Sequence, residues 1–300
     1  MAFVGCVNEE ATTQGQDEAV EVSQTQQGVT AIGDPLPGTD PDKFAEAKAN
    51  FAAEEDITDG LGPVFNERAC GNCHTTPVVG GSGVQIERRY GSIKNGVFFA
   101  YDQAPENEGG TLRQLFSNGT YQNGTTSCSI PVEKEPADAT IHNVGRRTLP
   151  LFGLGLVDAL PDVTFDIIAA LEPAAQRGTV VRAIPQFPDP RDPNQSFTAK
   201  RVARFGIKNQ QTNLQSFAGD AYINEMGIST QSCLRGVSVT AFATDNQPNN
   251  APLNVACNGG DLAPRQPDGS FTDDAVGPCV VNGQPITEVQ DDLDNFRFFM

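Results

Sequence analysis

The pentapeptide Cys70-Gly71-Asn72-Cys73-His74 is the stretch of this 300-residue chain on which most of its interpretation depends. Two thiols three residues apart, followed directly by an imidazole, form the attachment pattern of c-type haem. On one helical turn the thiols can form thioethers with the two haem vinyl groups, while the imidazole approaches the iron from one side. The pattern predicts one covalent haem c site, with Cys70 and Cys73 as thioether residues and His74 as the proximal iron ligand.

Two other chemistries stay open, because Cys-x-x-Cys also occurs in zinc sites and in thiol redox sites. A zinc site needs four ligands, and no second pair of Cys or His residues follows at a suitable spacing. The surrounding sequence lacks the strand-then-helix order of a thioredoxin-like redox site. The histidine directly after Cys73 therefore favours haem.

The composition is that of a folded, loop-rich protein with a strongly acidic charge balance. Hydrophobic residues make up 38% of the chain, and 30 Gly and 21 Pro indicate many turns. Twenty Lys and Arg against 38 Asp and Glu give a net charge of −18, which argues against a nucleic-acid partner. The most apolar stretch, 149–160, is interrupted by Pro and Gly and is shorter than the ~20 residues of a membrane-spanning helix, so no transmembrane helix is expected.

The other cysteines suit an oxidising compartment. Haem attachment to this motif generally takes place outside the cytoplasm, where other thiols oxidise, so we expect a periplasmic or otherwise extracytoplasmic protein. Leaving aside the motif and Cys6, an even number of cysteines remains, which permits two disulfides in three connectivities. These are Cys128, Cys233, Cys257 and Cys279. Because Cys257 and Cys279 share one Gly/Pro/Asn-rich segment, they are the favoured pair; reduced, buried thiols are the alternative.

Residues 1–38 indicate an export leader remnant followed by a disordered linker. Phe3-Val4-Gly5-Cys6 resembles the end of a bacterial lipoprotein signal, in which a Cys after a small residue is lipidated, although the basic and long apolar parts of such a signal are missing. Cys6 is therefore a candidate lipid anchor, or incidental. Residues 8–30 are polar and nearly free of large apolar side chains, which is typical of a disordered tether. We expect the haem-binding region to span 39–300.

Local signals in this region predict several helices and a hairpin. Helices are predicted after Asp40-Pro41, across 64–74 and 162–171, and behind capping boxes at Thr212–Gln215 and Thr287–Gln290. Residues 84–101 predict a hairpin, and residues 109–124 a loop. The last helix ends on Phe296-Arg-Phe-Phe-Met300 without a cap, which indicates a fragment or early stop of something longer.

Several segments together resemble the di-haem oxidoreductases, a peroxidase-like family also called thiol oxidoreductases. The resemblance covers about residues 40–300 in order. Its segments are Leu61-Gly-Pro-Val-Phe-Asn66 before the pentapeptide, Val79-Gly-Gly-Ser-Gly83, Gly145-Arg-Arg-Thr-Leu-Pro-Leu-Phe-Gly-Leu-Gly-Leu-Val-Asp-Ala-Leu160, Arg204-Phe-Gly-Ile-Lys208 and Asp220-Ala-Tyr-Ile-Asn-Glu-Met-Gly227. It implies a mainly α fold of cytochrome-c-like haem domains, with long irregular loops and a few short β-hairpins. It also implies a second haem motif beyond residue 300, so two-haem chemistry lacks support in this sequence.

The sixth iron ligand has several candidates. Met226 closes a predicted helix within one of the family-like segments, and a thioether would raise the reduction potential relative to a second His. His142, Met300 and an open or water-bound position are the alternatives. Met226 as an ordinary core residue is also consistent with its apolar stripe.

Charged residues near these ligands are candidates for further roles. Arg146 and Arg147 can each meet a haem propionate with a bidentate fork. Arg88 and Arg89 form a similar but weaker case. Glu225 is a candidate proton-handling carboxylate near the iron, or an exposed charge at a helix end.

The first functional hypothesis is covalent haem binding and electron transfer in the N-terminal part of an exported di-haem, peroxidase-like oxidoreductase. The expected partner is a redox protein or a second haem domain, and catalytic activity depends on that second haem. The alternative is a single-haem electron carrier without catalytic activity. A third hypothesis is a metal-stapled or thiol protein without haem.

Overall fold

The helices of the described chain are short and lie at both of its ends and in its middle. A computed structural model describes residues 31–99, 111–123, 125–187, 199–228 and 291–300, together with the backbone of five short strands between 230 and 286. The helices are α1 (Pro41–Ala52), α2 (Cys70–Cys73), α3 (Leu154–Asp158), α4 (Asp162–Leu171), α5 (Leu214–Ala221) and α6 (Asp291–Phe299). A π-helical turn, Tyr222–Met226, continues α5.

The strands form several small sheets. They are β1 (Val64–Phe65), β2 (Ile86–Lys94), β3 (Val97–Phe99), β4 (Leu112–Arg113), β5 (Phe116–Ser117), β6 (Gly119–Asn123), β7 (Thr126–Ile130), β8 (Ile141–Arg147), β9 (Arg182–Ala183), β10 (Arg201–Val202), β11 (Thr230–Leu234), β12 (Val237–Val239), β13 (Asp274–Val276), β14 (Cys279–Val281) and β15 (Gln284–Ile286). The sheet nearest the pentapeptide pairs β2 with β3, β4 and β8, all antiparallel. The other pairs are β1–β5, β6–β7, β9–β10, β11 with β12 and β13, and β14–β15.

The prediction of a mainly α fold is wrong. Over the interpretable residues the chain is 30% helical and 23% strand, with several β-sheets. The hairpin predicted across 84–101 is present as β2 and β3, but β2 also pairs with β4, from residues predicted to be loop, and with β8. Many of these strands have only two to five residues, which is too short for a period-2 pattern to be read from the sequence.

The helix boundaries confirm some local predictions and correct others. Asp40 caps α1 by accepting hydrogen bonds from the backbone N–H groups of Asp42 and Lys43, with Pro41 in the first turn as expected. The helix predicted across 64–74 is wrong, since that segment begins as β1 and is helical only in α2. The predicted helix 162–171 is α4.

The start of α5 differs by one residue from the predicted capping box. Asn213, rather than Thr212, is the N-cap, and its side-chain oxygen accepts from the backbone N–H of Ser216 at 2.7 Å. The helix then widens into the π-helical turn, which ends before Gly227 as predicted. The capping box at Thr287–Gln290 lies outside the described residues, although α6 begins directly after it.

The largest apolar core joins α1, α6 and the end of α5. Phe51 packs edge-on against Phe296 with 5.6 Å between ring centroids, and its ring lies 4.9 Å from that of Phe299. Tyr222 meets Phe296 in a second edge-to-face contact at 5.4 Å. Each side chain is almost fully removed from solvent. Burial of this aromatic surface therefore holds both ends of the described chain together.

Helix α4 contributes little to this core. Val163, Ile167, Ile168 and Leu171 all remain exposed. The helix is tied to the body through its first residue, Asp162, whose carboxylate binds Arg201 and Arg204. Polar and cation–π contacts rather than apolar burial therefore position α4.

One disulfide cysteine falls within the described part of the chain. Cys128 in β7 is disulfide-bonded and only 1% exposed. The side chains of Cys233, Cys257 and Cys279 lie outside the described residues, as does the segment 1–30 with Cys6. Among the helices that are described, none combines the length and the apolar character that crossing a bilayer requires.

A prediction concerns the contact between α1 and α2. A Cβ at Gly71 would lie 2.9 Å from the Cα of Ala52, so Gly71→Ala forces two backbones apart. We expect a loss of about 1–3 kcal/mol in the free energy of unfolding, measured by urea denaturation. The control Asn72→Ala, at the exposed neighbouring position, should change it by less than about 0.5 kcal/mol. Equal stability of Gly71→Ala and wild type would contradict this packing.

Candidate functional site

A cavity of about 340 Å³ lies between α2, the β2–β8 sheet and the end of α5. Its lining combines apolar and aromatic side chains with charged ones. The lining includes Phe51, Asn66, Cys70, Cys73, His74, Gln85, Glu87, Arg89, Arg146, Arg147, Leu149, Leu151, Leu154, Arg204, Phe217, Asp220, Glu225, Met226, Phe296 and Met300. Exposed residues at the rim, such as Arg147 and Leu149, show that it opens to solvent. An apolar pocket with a few convergent polar groups is typical of a cofactor site.

The cavity brings together the residues that the sequence favoured for the haem site. Cys70, Cys73 and His74 come from one segment, Arg146 and Arg147 from β8, and Met226 from the π-helical turn. Met300, an alternative ligand, also lines it. His142 does not, because it is exposed on β8 and paired with Glu135. Of the weaker arginine pair, Arg89 lines the cavity and Arg88 does not.

A tight loop fixes the imidazole of His74. The loop folds back beneath α2 through a backbone hydrogen bond from Gly80 N–H to the His74 carbonyl at 2.9 Å. A Cβ at Gly83 would lie 1.8 Å from the carbonyl oxygen of Cys73, so only glycine fits this approach. His74 Nδ1 donates to the Gly81 carbonyl at 2.9 Å. Because a carbonyl oxygen only accepts, Nδ1 carries the proton and Nε2 is the atom able to bind a metal in the neutral ring.

Burial keeps the His74 ring neutral. Desolvation lowers the pKa of this imidazole below its usual range, while backbone hydrogen bonds with Gly81 and Leu149 act in the opposite direction. The ring also lies against Phe51, with 5.9 Å between centroids. A neutral, oriented imidazole is the form that ligates a metal.

Both thiols of the pentapeptide are free and resist ionisation. Burial, followed by the proximity of Cys73, Asp292 and Glu55, raises the pKa of Cys70 far above its usual range. Burial, followed by the charges of Glu225 and Glu67, raises the pKa of Cys73 to about 12. Such thiols are poor nucleophiles near neutral pH, because the thiolate is the reactive form.

The π-helical turn places Met226 against the pentapeptide across 156 residues of sequence. Its Sδ lies 4.0 Å from Cys70 Sγ, and the side chain is 3% exposed. The backbone carbonyl of Met226 accepts from Gly62 N–H at 2.9 Å, which ties the turn to the segment before β1. Single π-helical turns are frequent at functional sites, because the extra residue redirects the side chains that follow.

Glu225 lies at the same turn and also faces the cavity. Its carboxylate accepts from Asn66 Nδ2 at 2.7 Å, and its backbone carbonyl accepts from Asn66 N–H at 2.7 Å. Burial raises the pKa of Glu225; the Asn66 hydrogen bond and the nearby Arg89 act to lower it. Asn66, which is 1% exposed, therefore connects the pentapeptide side of the cavity to the Met226 side.

Several lining residues were not singled out from the sequence. Glu87 and Asp220 carry charge into the cavity, and Arg204 lines it while its guanidinium binds Asp162 and the Leu160 carbonyl. The sequence could have placed Glu87 and Arg89 together, because residues two apart on a strand share one face of the sheet. Arg204 and Asp220 carried no such signal, because only tertiary packing brings them to the cavity.

No family model matches this chain, and comparisons with curated proteins and with solved structures also find no match. The resemblance to di-haem oxidoreductases therefore stays a prediction from the sequence. Within the described ranges, no group of three or more His, Cys, Asp or Glu side chains is arranged to hold a metal ion. This finding concerns sites in which protein side chains supply all the ligands, as in a structural zinc site.

A prediction concerns an acidic cluster behind Cys70. Burial, followed by the charges of Asp292, Asp59 and Asp56, raises the pKa of Glu55 from 4.5 to about 7. Because the folded pKa lies above the unfolded one, the folded state binds this proton more tightly, and stability is lost as the pH rises from about 4.5 to about 7. Glu55→Gln should remove this loss.

At pH 8 we expect Glu55→Gln to be more stable than wild type by about 1–2 kcal/mol, a figure reduced for solvent screening of a partly exposed group. At pH 4.5 the two should differ little. Urea unfolding across this pH range measures both, with Glu46→Gln as the control for loss of an exposed charge. Parallel stability curves for Glu55→Gln and wild type between pH 4.5 and 8 would refute the prediction.

Proposed function

We propose that this chain binds one haem c covalently and passes electrons to a redox partner protein or second haem domain, as part of an exported di-haem, peroxidase-like oxidoreductase. Cys70 and Cys73 would hold the porphyrin by thioethers, and the imidazole of His74 would ligate its iron. The observation that carries the proposal is the single cavity lined by the pentapeptide, Met226 and Arg146, which are far apart in the sequence.

The residues around the cavity fit a porphyrin. Apolar side chains, among them Phe51, Leu151, Leu154, Phe217 and Phe296, contribute to the lining and would contact the ring. Guanidinium groups in the same lining would match the two propionates of haem. His74 presents a neutral imidazole whose Nδ1 is anchored to the Gly81 carbonyl. When bound, haem supplies one-electron chemistry, which no side chain in this cavity supplies itself.

The state of the thiols argues against thiol exchange. Exchange requires a substantial thiolate fraction, and reactive Cys-x-x-Cys motifs have lowered thiol pKa values. Burial raises both pKa values here instead, with that of Cys73 at about 12. A dithiol redox function is therefore the weaker candidate.

Met226 is the sixth ligand that the geometry favours. It is buried on the cavity lining close to Cys70, whereas His142 is exposed and outside the cavity. A thioether ligand raises the reduction potential relative to a bis-histidine site, which suits a donor to a more oxidising centre.

The covalent attachment is tested by intact mass spectrometry after expression in a host competent for c-type cytochrome maturation. Wild type should carry the mass of one haem on the tryptic fragment that contains the pentapeptide. Cys70→Ser combined with Cys73→Ser should carry none, because both thioether bonds are removed. Haem that is equally retained by this double variant would contradict attachment at the pentapeptide.

The sixth ligand is tested by the visible spectrum of the oxidised holoprotein. Methionine ligation gives a weak long-wavelength charge-transfer band, which should disappear in Met226→Leu, a substitution that keeps the side-chain volume. Met300→Leu is the matched control and should keep the band. Loss of the band in Met300→Leu alone would assign the ligand to Met300 instead.

A further inference from the structure

Three charged side chains on the β2–β8 sheet form one cluster in the cavity wall. Glu87 and Arg146 are directly opposite each other in the antiparallel register, and Arg146 NH1 lies 3.8 Å from Glu87 Oε1. Arg89, two residues along β2, donates from Nε to the same oxygen and from NH1 to Thr111 Oγ1 at 3.1 Å. Residues two apart on a strand, and residues directly opposite across a pair, share one face of the sheet.

The cluster faces the cavity. All three side chains line the cavity, and each keeps a quarter or less of its surface exposed. Two guanidinium groups share the Glu87 carboxylate in this partly desolvated wall. The charge of Arg89 also acts to lower the pKa of the Glu225 and Asp220 carboxyl groups, so the wall lies near the turn that carries Met226.

Arg147 differs from the cluster although it adjoins Arg146 in sequence. It is paired in register with Ile86, so strand alternation turns it to the other face of the sheet. Its Nε donates to the Gly83 carbonyl at 3.1 Å, and its side chain is exposed at the cavity rim. This contact supports the loop next to His74.

We propose that Arg89 and Arg146, held in position by Glu87, form a carboxylate-binding wall that takes the propionate groups of the porphyrin. The proposal rests on the haem function proposed above and replaces the sequence-adjacent pair Arg146 and Arg147 by a pair that spans two strands. Glu87 is a positioning residue, because a carboxylate shared by two guanidinium groups restricts the orientation of both groups before the porphyrin binds.

Reversible porphyrin binding tests this wall without reference to catalysis. In a background with Cys70→Ala and Cys73→Ala no thioether can form, so haemin binding becomes an equilibrium measured from the Soret absorbance. Haemin is compared with its dimethyl ester, which has the same ring and iron but no propionate charge. Circular dichroism and urea unfolding of each variant show whether it is folded.

Arg89→Gln and Arg146→Gln should each weaken haemin binding about tenfold and leave binding of the dimethyl ester unchanged. Arg88→Gln, on the opposite face of the same strand and outside the cavity lining, should stay within about twofold of the parent. The proposal is overturned if Arg89→Gln binds haemin as the parent does, or if both porphyrins lose affinity equally.

A double variant distinguishes binding of a propionate by Arg89 from an indirect effect in which Arg89 only compensates the charge of Glu87. Arg89→Gln leaves the Glu87 charge less compensated, and that charge alone could repel a propionate. If Arg89 binds the propionate, then Glu87→Gln with Arg89→Gln stays weak; recovery of parental affinity would overturn the proposal. Haemin binding that is absent, or unaffected by His74→Ala, would instead refute the haem site itself.

Discussion

The hydrogen bond from His74 Nδ1 to the Gly81 carbonyl is the contact on which the rest of the site depends. It requires the loop after the pentapeptide to fold back beneath α2, which in turn requires that Gly83 carry no side chain. It assigns the proton of the neutral ring to Nδ1, and the ring lies against Phe51. Phe51 belongs to the aromatic core between α1 and α6, so the His74 ring packs against that core.

Backbone hydrogen bonds, which no sequence pattern predicts, hold the π-helical turn against the segment that precedes the pentapeptide. Gly62 N–H and Asn66 N–H both bind carbonyl groups of the π-helical turn, at 2.9 and 2.7 Å. These bonds bring Met226 and Glu225 to the two cysteines. Every residue type except proline has the same backbone donor and acceptor, so these hydrogen bonds cannot be predicted from residue identities. The sequence therefore predicted Met226 as a candidate ligand, but not the arrangement that favours it over His142.

Local signals predicted local structure well, and tertiary contacts explain the failures. The Asp40 cap, the hairpin of β2 and β3, and the bounds of α4 followed from capping, alternation and helical periodicity. The class of fold did not, because strands such as β4 and β5 are held by neighbours distant in sequence. Arg146 and Arg147 show the same limit: adjacency suggested a pair, and the strand turned them to opposite faces.

The most direct test of the account is the pyridine haemochrome spectrum of the mature, purified chain after extraction of loosely held haem with acidified acetone. Covalent attachment through Cys70 and Cys73 predicts that one haem per chain stays with the protein. It also predicts the absorption maximum of a porphyrin whose two vinyl groups are both saturated. A colourless protein from a host that matures c-type cytochromes, or haem fully extracted with intact vinyl groups, would contradict it.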